Sequence, residues 1–316
     1  MAYEFEQALV DLRERIDSME ADLKNGAPAD AAQEVKELRT ELERQTVDVF
    51  ANLSPWDRVQ LARHSQRPRS LDFIRYAFSD FVELHGDRHY GDDLAIVGGP
   101  ARLGDTPVMV VGHQKGKDAK DNQQRNFGMA HPEGFRKARR LMLQAEKFRL
   151  PLFTFLDIPG ASPFLADEER GQAWAIAENL LTMSQLRTPI IVTVIGEGGS
   201  GGALALGIGD RVLMLEFSMY SVASPEGAAS IVWKDSKFAP EAAGSLKPFA
   251  KDLAKLGIIH RIVPEPVGGA HVDPRDAAQT LKSALVEELT ALQELPLPSL
   301  IDRRYEFYRS LGVVIP

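Results

Sequence analysis

The sequence predicts an α/β chain in which a sheet is covered by helices on both faces. Three observations carry this. Short, continuously apolar segments recur at "VMVVG" (108–112), "LFTFLD" (152–157), "IIVTVI" (190–195) and "VLML" (212–215). Longer amphipathic segments lie between most of them. Strands that lack polar–apolar alternation are strands buried on both faces, which is the α/β signature. The 316 residues, 44% hydrophobic and 26% charged, suffice for one large domain or two small ones.

Residues 1–53 stand apart from this pattern. Phe5, Leu9, Leu12, Ile16, Met19 and Leu23 recur in steps of four and three, the spacing of a helical seam. "NGAPAD" (25–30) predicts a break, with Gly26 and Pro28 as stop signals. A second helix follows, with Val35, Leu38, Leu42 and Val49 on one face. This is a helical hairpin whose apolar stripe must pack on something, either its own domain or another subunit. It sets the expected division: a hairpin over 1–53 and a main domain over 54–316.

Past "RHSQRPRSLDF" (63–73) the strands begin. A fifth is expected at 258–263. Pro151 and Pro189 precede two of the strands, a position where proline is tolerated. Helices are expected at about 132–148, 168–186, 202–206, 225–234, 241–256 and 273–295.

Bulk properties exclude several function classes. No run of about 18 apolar residues is available to span a membrane. The acidic N-terminal stretch lacks an apolar signal core, so a cytoplasmic protein is expected. The chain has no cysteine, which rules out disulfides, thiolate catalysis and cysteine-ligated zinc. A net charge of −8 argues against nucleic acid as the main partner.

The stretch "VIGEGGSGGALALGIGD" (194–210) holds seven glycines between Gly196 and Gly209, and three chemistries fit it. Gly196, Gly198 and Gly201 match G-x-G-x-x-G, a dinucleotide-binding pattern, with Glu216 twenty residues on. Gly198-Gly199-Ser200-Gly201-Gly202 fits G-x-S-x-G, a nucleophile turn, with His260 or His271 available downstream. The third is an oxyanion hole built from backbone. Bare N–H groups at the start of a helix approach a carbonyl closely where no Cβ intervenes, and one such donor is worth about 3 kcal/mol. A tight turn accounts for one or two glycines, not for seven. A second segment, "FLDIPGASPFLADEERGQAWAIAENL" (155–180), repeats the build: apolar strand, Asp, Pro-Gly turn, helix. Two such units in succession place two loops around one pocket.

Several long blocks occur in order: "QLARHSQRP" (60–68), "GDRHYGDD" (86–93), "AIVGGPARL" (95–103), "GHQKGKD" (112–118), "RNFGMAHPEGFRKARRLM" (125–142), "EERGQ" (168–172) and "SPEGAASIVWK" (224–234). With these and the glycine stretch, the chain resembles the carboxyltransferase alpha subunits of bacterial-type acetyl-CoA carboxylase. The resemblance implies a crotonase-like (ClpP/crotonase) spiral of ββα units with the N-terminal helical hairpin as an extension. It implies transfer of a carboxyl group from carboxybiotin, presented by a biotin carboxyl carrier protein, to acetyl-CoA, giving malonyl-CoA for fatty acid synthesis. The implied partners are a carboxyltransferase beta subunit, in an α2β2 assembly, and biotin carboxylase. The structural zinc of such enzymes belongs to the beta subunit, so no metal is expected in this chain.

The family's oxyanion glycines fall on Gly201 and Gly202. Substrate-facing roles are expected for the neighbouring Gly198, Gly199, Ser200 and Ala203, for Gly160 and Ala161 in the second loop, and for Arg170 as a carboxylate contact. The basic stretches Lys115–Arg125 and Arg136–Arg140 are either solvated faces or contacts for coenzyme A phosphates or an acidic partner. One departure stands out. Where the family reads G-A-Y-P-G-x-G-A-E-E-R-G-Q, this chain has Ser162 for the tyrosine, and Phe164 and Ala166 for two glycines. If those glycines need positive φ, this loop takes another conformation. The alternatives are a crotonase-class acyl-CoA hydratase or isomerase acting alone, and a non-catalytic scaffold subunit.

Overall fold

The computed structural model describes residues 3–24 and 29–312; the expected break at Gly26 and Pro28 lies outside the described residues. The apolar runs become the middle of a seven-stranded sheet. Its strands are β1 (Ile96–Leu103), β2 (Thr106–His113), β3 (Leu152–Ile158), β4 (Ile190–Gly199), β5 (Arg211–Leu215), β6 (Met219–Ser221) and β7 (Arg261–Val263). The order is β1-β2-β3-β4-β5-β7, with β6 paired to the end of β4. β1 and β2 are antiparallel and every later pairing is parallel. Every residue of β3 and β4 is buried, as continuous apolar strands require.

The side chains of each strand divide between two cores. On one face Met109, Val111, Leu156 and Val192 pack under the helices Pro132–Phe148 and Gln172–Gln185. On the other, Val110, Phe153 and Ile191 pack under Ser70–Ala77 and Pro274–Gln293. The N-terminal helices, Gln7–Lys24 and Ala29–Ala51, pair with each other. Their stripe meets the main body, where Leu9, Phe50 and Leu53 join Leu61 and Phe217.

The differences from expectation have local causes. β1 carries Gly98, Gly99 and Pro100, which weaken a strand signal. A Cβ on Gly99 would overlap the carbonyl of Val82, so this strand is built for close backbone approach. The helix expected at 168–186 splits into Leu165–Glu169 and Gln172–Gln185 around Gly171, whose φ is +83°. The helix expected at 241–256 splits around Lys247 (φ +49°) and Pro248. β7 keeps only the last three residues of the expected strand. The helix Leu297–Ser310 was not expected. It delivers Arg304, 2% exposed, to both carboxylate oxygens of Asp210 (2.9 and 2.8 Å) and to the carbonyls of Met183, Leu186 and Thr188. Asp210 in turn accepts from the amide of Ile190, at the first residue of β4.

Candidate active site

β3 and β4 are parallel neighbours, so their C-terminal ends open on the same side of the sheet, where Ile158 pairs with Gly198. β3 runs into Pro159, Gly160 and Ala161. β4 runs into Ser200 and a single helical turn, Ser200–Leu204. The two turns meet through bare backbone. A Cβ on Gly202 would lie 2.6 Å from the amide nitrogen of Ala161 and 3.0 Å from the carbonyl carbon of Gly160. A Cβ on Gly199 would overlap the carbonyl of Pro159. Ser200 makes the corner with φ +52°, a conformation that non-glycine residues seldom adopt.

The first amides of a helix lack an acceptor within it. Among the described residues, the amides of Gly201 and Gly202 donate to no other element, and neither do those of Gly160 and Ala161. Gly201, Gly160 and Ala161 are half-buried and Gly202 is buried. One helical turn has little macrodipole, so the donors act as local N–H groups. The arrangement can hold an oxygen on which negative charge develops.

Beneath the two turns lies a network of charges. Lys115 Nζ sits 2.9 Å from Asp157 Oδ1 and 2.7 Å from Glu197 Oε1. Arg63 binds the other oxygen of Glu197 at 2.7 Å and reaches Glu226 at 2.7 Å. Asp157 is two residues before the first turn and Glu197 two residues before Gly199. The network therefore ties the ends of β3 and β4 to each other. Burial works to lower the Lys115 pKa, and the Asp157 and Glu197 carboxylates outweigh it, leaving it raised. Burial works to raise the Glu197 pKa, and Lys115 and Arg63 outweigh it, leaving it lowered. Both groups are held in their charged forms. The signal for this network was in the sequence, since its members lie within the segments at 60–68, 112–118, 155–180, 194–210 and 224–234, but nothing local links them.

Several expected roles are corrected. Six of the seven glycines are accounted for by packing. A Cβ on Gly196, Gly198, Gly199, Gly202, Gly207 or Gly209 would come within 3.0 Å of Asp157, Tyr220, Pro159, Ala161, Ala203 or Val192 respectively. Only Gly201 has room, with Ile176 at 3.9 Å. Gly198 and Gly199 are buried strand residues paired with β6, and Ala203 is fully buried in the core. All three are taken up by packing within the chain. Arg170 is consumed within the chain, binding Glu133 at 3.0 Å and Asp167 at 2.6 Å and lying over the Tyr90 ring. Lys115 belongs to the buried network, and Lys137, fully buried, binds Asp92 at 2.6 Å. Neither is a free contact for phosphate. Ser200 is exposed at the corner.

The competing readings of the glycine stretch lose their parts. Gly196 to Gly199 stay in β4 and the following helix is one turn, so no phosphate-binding helix start forms. His260 receives the Val212 amide (3.0 Å) and packs on Phe307, while His271 stacks on His64. Neither accompanies Ser200. Glu6, His64 and His271 do offer three ligand atoms within 4.8 Å. The Gln66 amide donates to His64 Nδ1 (3.2 Å), so the ring proton sits on Nε2, the nitrogen that faces Glu6 at 4.0 Å. The rings stack at 4.0 Å between centroids. This is the geometry of a hydrogen-bonded cluster rather than of ligands fanned around an ion. In the departing loop, none of residues 161–166 takes a positive φ, and the Ser162 hydroxyl binds Asp167.

Residues 2–312 match the family described as acetyl co-enzyme A carboxylase carboxyltransferase-like. The chain belongs to this family. Acetyl-coenzyme A carboxylase carboxyl transferase subunits alpha of Burkholderia vietnamiensis (strain G4 / LMG 22486) and Burkholderia cenocepacia (strain HI2424) are each 52% identical to it over 309 residues. The match covers 98% of this chain and 95% of each relative.

Solved structures share the fold at lower identity. A chain of a Pseudomonas malonate decarboxylase hetero-tetramer in complex with coenzyme A aligns with a TM-score of 0.60 at 20% identity, over 75% of this chain and 92% of that one. Transcarboxylase 12S gives 0.56 at 19%, over 81% of this chain and 45% of that one. The beta subunit of Pseudomonas aeruginosa geranyl-CoA carboxylase gives 0.56 at 15%, over 78% and 46%. This is the crotonase-like fold of carboxyltransferases. The chain spans just under half the length of the latter two.

Proposed function

We propose that this family member is the alpha half of a biotin-dependent carboxyltransferase that converts acetyl-CoA to malonyl-CoA. The observation that carries the reading is the meeting of two bare-backbone turns with uncommitted amides, at Gly160–Ala161 and Gly201–Gly202. Carboxybiotin, brought by a carrier protein, supplies the carboxyl group and then the base for the acetyl methyl proton. In this reading the Gly201 and Gly202 amides hold the ureido oxygen as negative charge gathers on it. The Gly160 and Ala161 amides close the same half-pocket. Fixed donors cost no reorganisation when charge appears, which is where such sites gain their effect. No side-chain nucleophile is required.

The other half of the pocket, with most of the coenzyme A contacts, is assigned to a beta subunit in an α2β2 complex that works with biotin carboxylase in the cytoplasm. The hairpin of residues 1–53 serves as a packing element on the transfer domain of 54–316. The test is the reverse reaction, carboxylation of biocytin from malonyl-CoA, run with this chain alone and with a matching beta subunit. Turnover only in the mixture is expected. Turnover by this chain alone on an enoyl-CoA, without biocytin, would replace the proposal with a crotonase-class hydratase or isomerase.

A further inference from the structure

One group at the edge of the site is not used by this mechanism. His131 Nδ1 lies 2.7 Å from Asp167 Oδ1. Asp167 is 1% exposed and also accepts from the Ser162 hydroxyl and from Arg170 Nη2. A carboxylate receiving such donors is an acceptor only, so it selects the tautomer with its proton on Nδ1, in which the lone pair sits on Nε2. The His131 side chain is 30% exposed, and among the described residues no protein hydrogen bond engages Nε2. The backbone is fixed as well, with the His131 amide on Asp93 Oδ2 at 2.8 Å.

This imidazole is tied to the first turn. The Ala130 carbonyl accepts from the Ser162 amide (3.1 Å) and from Gln172 Nε2 (2.9 Å), and Gln172 also reaches the Ser162 carbonyl (3.0 Å). The turn Gly160–Ser162 is thereby held between the Ala130 carbonyl, one residue before His131, and Gly202. A buried carboxylate that fixes a histidine tautomer and leaves its other nitrogen free is how proteins prepare an imidazole for a ligand proton.

We infer that His131 Nε2 accepts the hydrogen bond of a ureido N–H of biotin, orienting the ring over the Gly201–Gly202 amides. This rests on the proposed carboxyltransferase reading. A ureido group whose oxygen is taken by the two amides still carries an N–H. In a pocket closed by a partner that donor needs an acceptor. A carboxylate in this place would repel the charge developing on the ureido oxygen, whereas a neutral imidazole accepts without opposing it. The contact moves no proton. It sets the ring's orientation.

The test uses the chain assembled with its beta subunit, with biocytin and malonyl-CoA varied separately. The wild-type complex must turn over; if it does not, the function proposed above fails, independently of this inference. Given turnover, His131→Ala should raise the KM for biocytin about tenfold, the effect of one lost hydrogen bond in a desolvated site, and leave the KM for malonyl-CoA unchanged. His131→Gln, whose amide oxygen reaches the Nε2 position, should recover much of the loss. Melting temperature and complex size check that each variant is assembled. An unchanged biocytin KM in an assembled His131→Ala complex overturns the inference. So does a rise confined to malonyl-CoA, or an equal rise for both substrates.

Discussion

Gly201 and Gly202 are neighbours in sequence, yet the structure predicts opposite responses to one added methyl group. At Gly202 a Cβ would sit 2.6 Å from the Ala161 nitrogen, 2.9 Å from Ile158 Cδ1 and 3.0 Å from the Gly160 carbonyl carbon, where ordinary contact begins at 3.4 Å. Two of these three neighbours are backbone and cannot swing away, so Gly202→Ala must push the turns apart by something on the order of 1 Å. A displacement of that size at a reacting centre costs roughly 100-fold in rate, and overpacking costs about 1–3 kcal/mol of stability. At Gly201 the nearest atoms are 3.9 Å away, and the backbone is not left-handed. Gly201→Ala keeps the amide donor and should gain about 0.4–1 kcal/mol from the reduced freedom of the unfolded chain. The assay is biocytin carboxylation by the complex with the beta subunit, beside melting temperatures. Gly202→Ala should lose about two orders of magnitude in turnover, while Gly201→Ala stays within a few-fold of wild type. Wild-type turnover in an assembled Gly202→Ala complex would refute the claim that contact between the two turns sets the geometry. A Gly201→Ala complex that melts normally but is as inactive as Gly202→Ala would show that the free space over Gly201 is what the substrate needs.

Lys115→Met leaves Asp157 without its ion partner and Glu197 with Arg63 alone; removing one member of a buried pair costs about 3–5 kcal/mol, so the melting temperature should fall by several degrees and turnover with it. Arg304→Gln removes the donor of Asp210 Oδ1, leaves Oδ2 with the Ile190 amide alone and takes a donor from three carbonyls, and should be at least as destabilising by urea titration. His113 gives a pH prediction. Burial holds its folded-state pKa down at about 3, against roughly 6.5 in an unfolded chain, so its contribution is complete above pH ~6.5 and is lost as pH falls toward 3. By pH 5.5 that loss is about 1.4 kcal/mol. His113→Phe should lose about 1.4 kcal/mol less than wild type between pH 7.5 and 5.5, and equal losses would show that His113 does not titrate against folding.

The fold was legible because its signals are local. Continuous apolar runs at 108–112, 152–157, 190–195 and 212–215 became β2, β3, β4 and β5, and the amphipathic period at 132–148 became the helix Pro132–Phe148. What escaped was set by distant partners. β1 looks poor as a strand because Gly99 is matched to the Val82 carbonyl and Gly98 to Leu141 and the Val110 carbonyl. The helix Leu297–Ser310 reads as surface until Arg304 finds Asp210, ninety-four residues away.

The site divides along the same line. A glycine is one letter for two opposite situations: backbone that something in the chain occupies, and backbone left open for a ligand. Only the partner atom tells them apart, and along Gly196–Gly209 the partners come from β3, β4 and its helical turn, β6 and the turn at Pro159. The run that looks like an excess of bare backbone is therefore mostly close packing, and packing is what makes the few open positions usable. Gly199 and Gly202 let two turns touch, Gly196 admits the Asp157 carboxylate to the Lys115 network, and the uncommitted amides at Gly160, Ala161, Gly201 and Gly202 inherit their spacing from those contacts. A donor set made of main chain has no side-chain rotamers to lock, so its precision has to come from how closely the backbones can approach. That is a physical reason for a reaction centred on charged oxygens to be served by glycine rather than by histidine or serine.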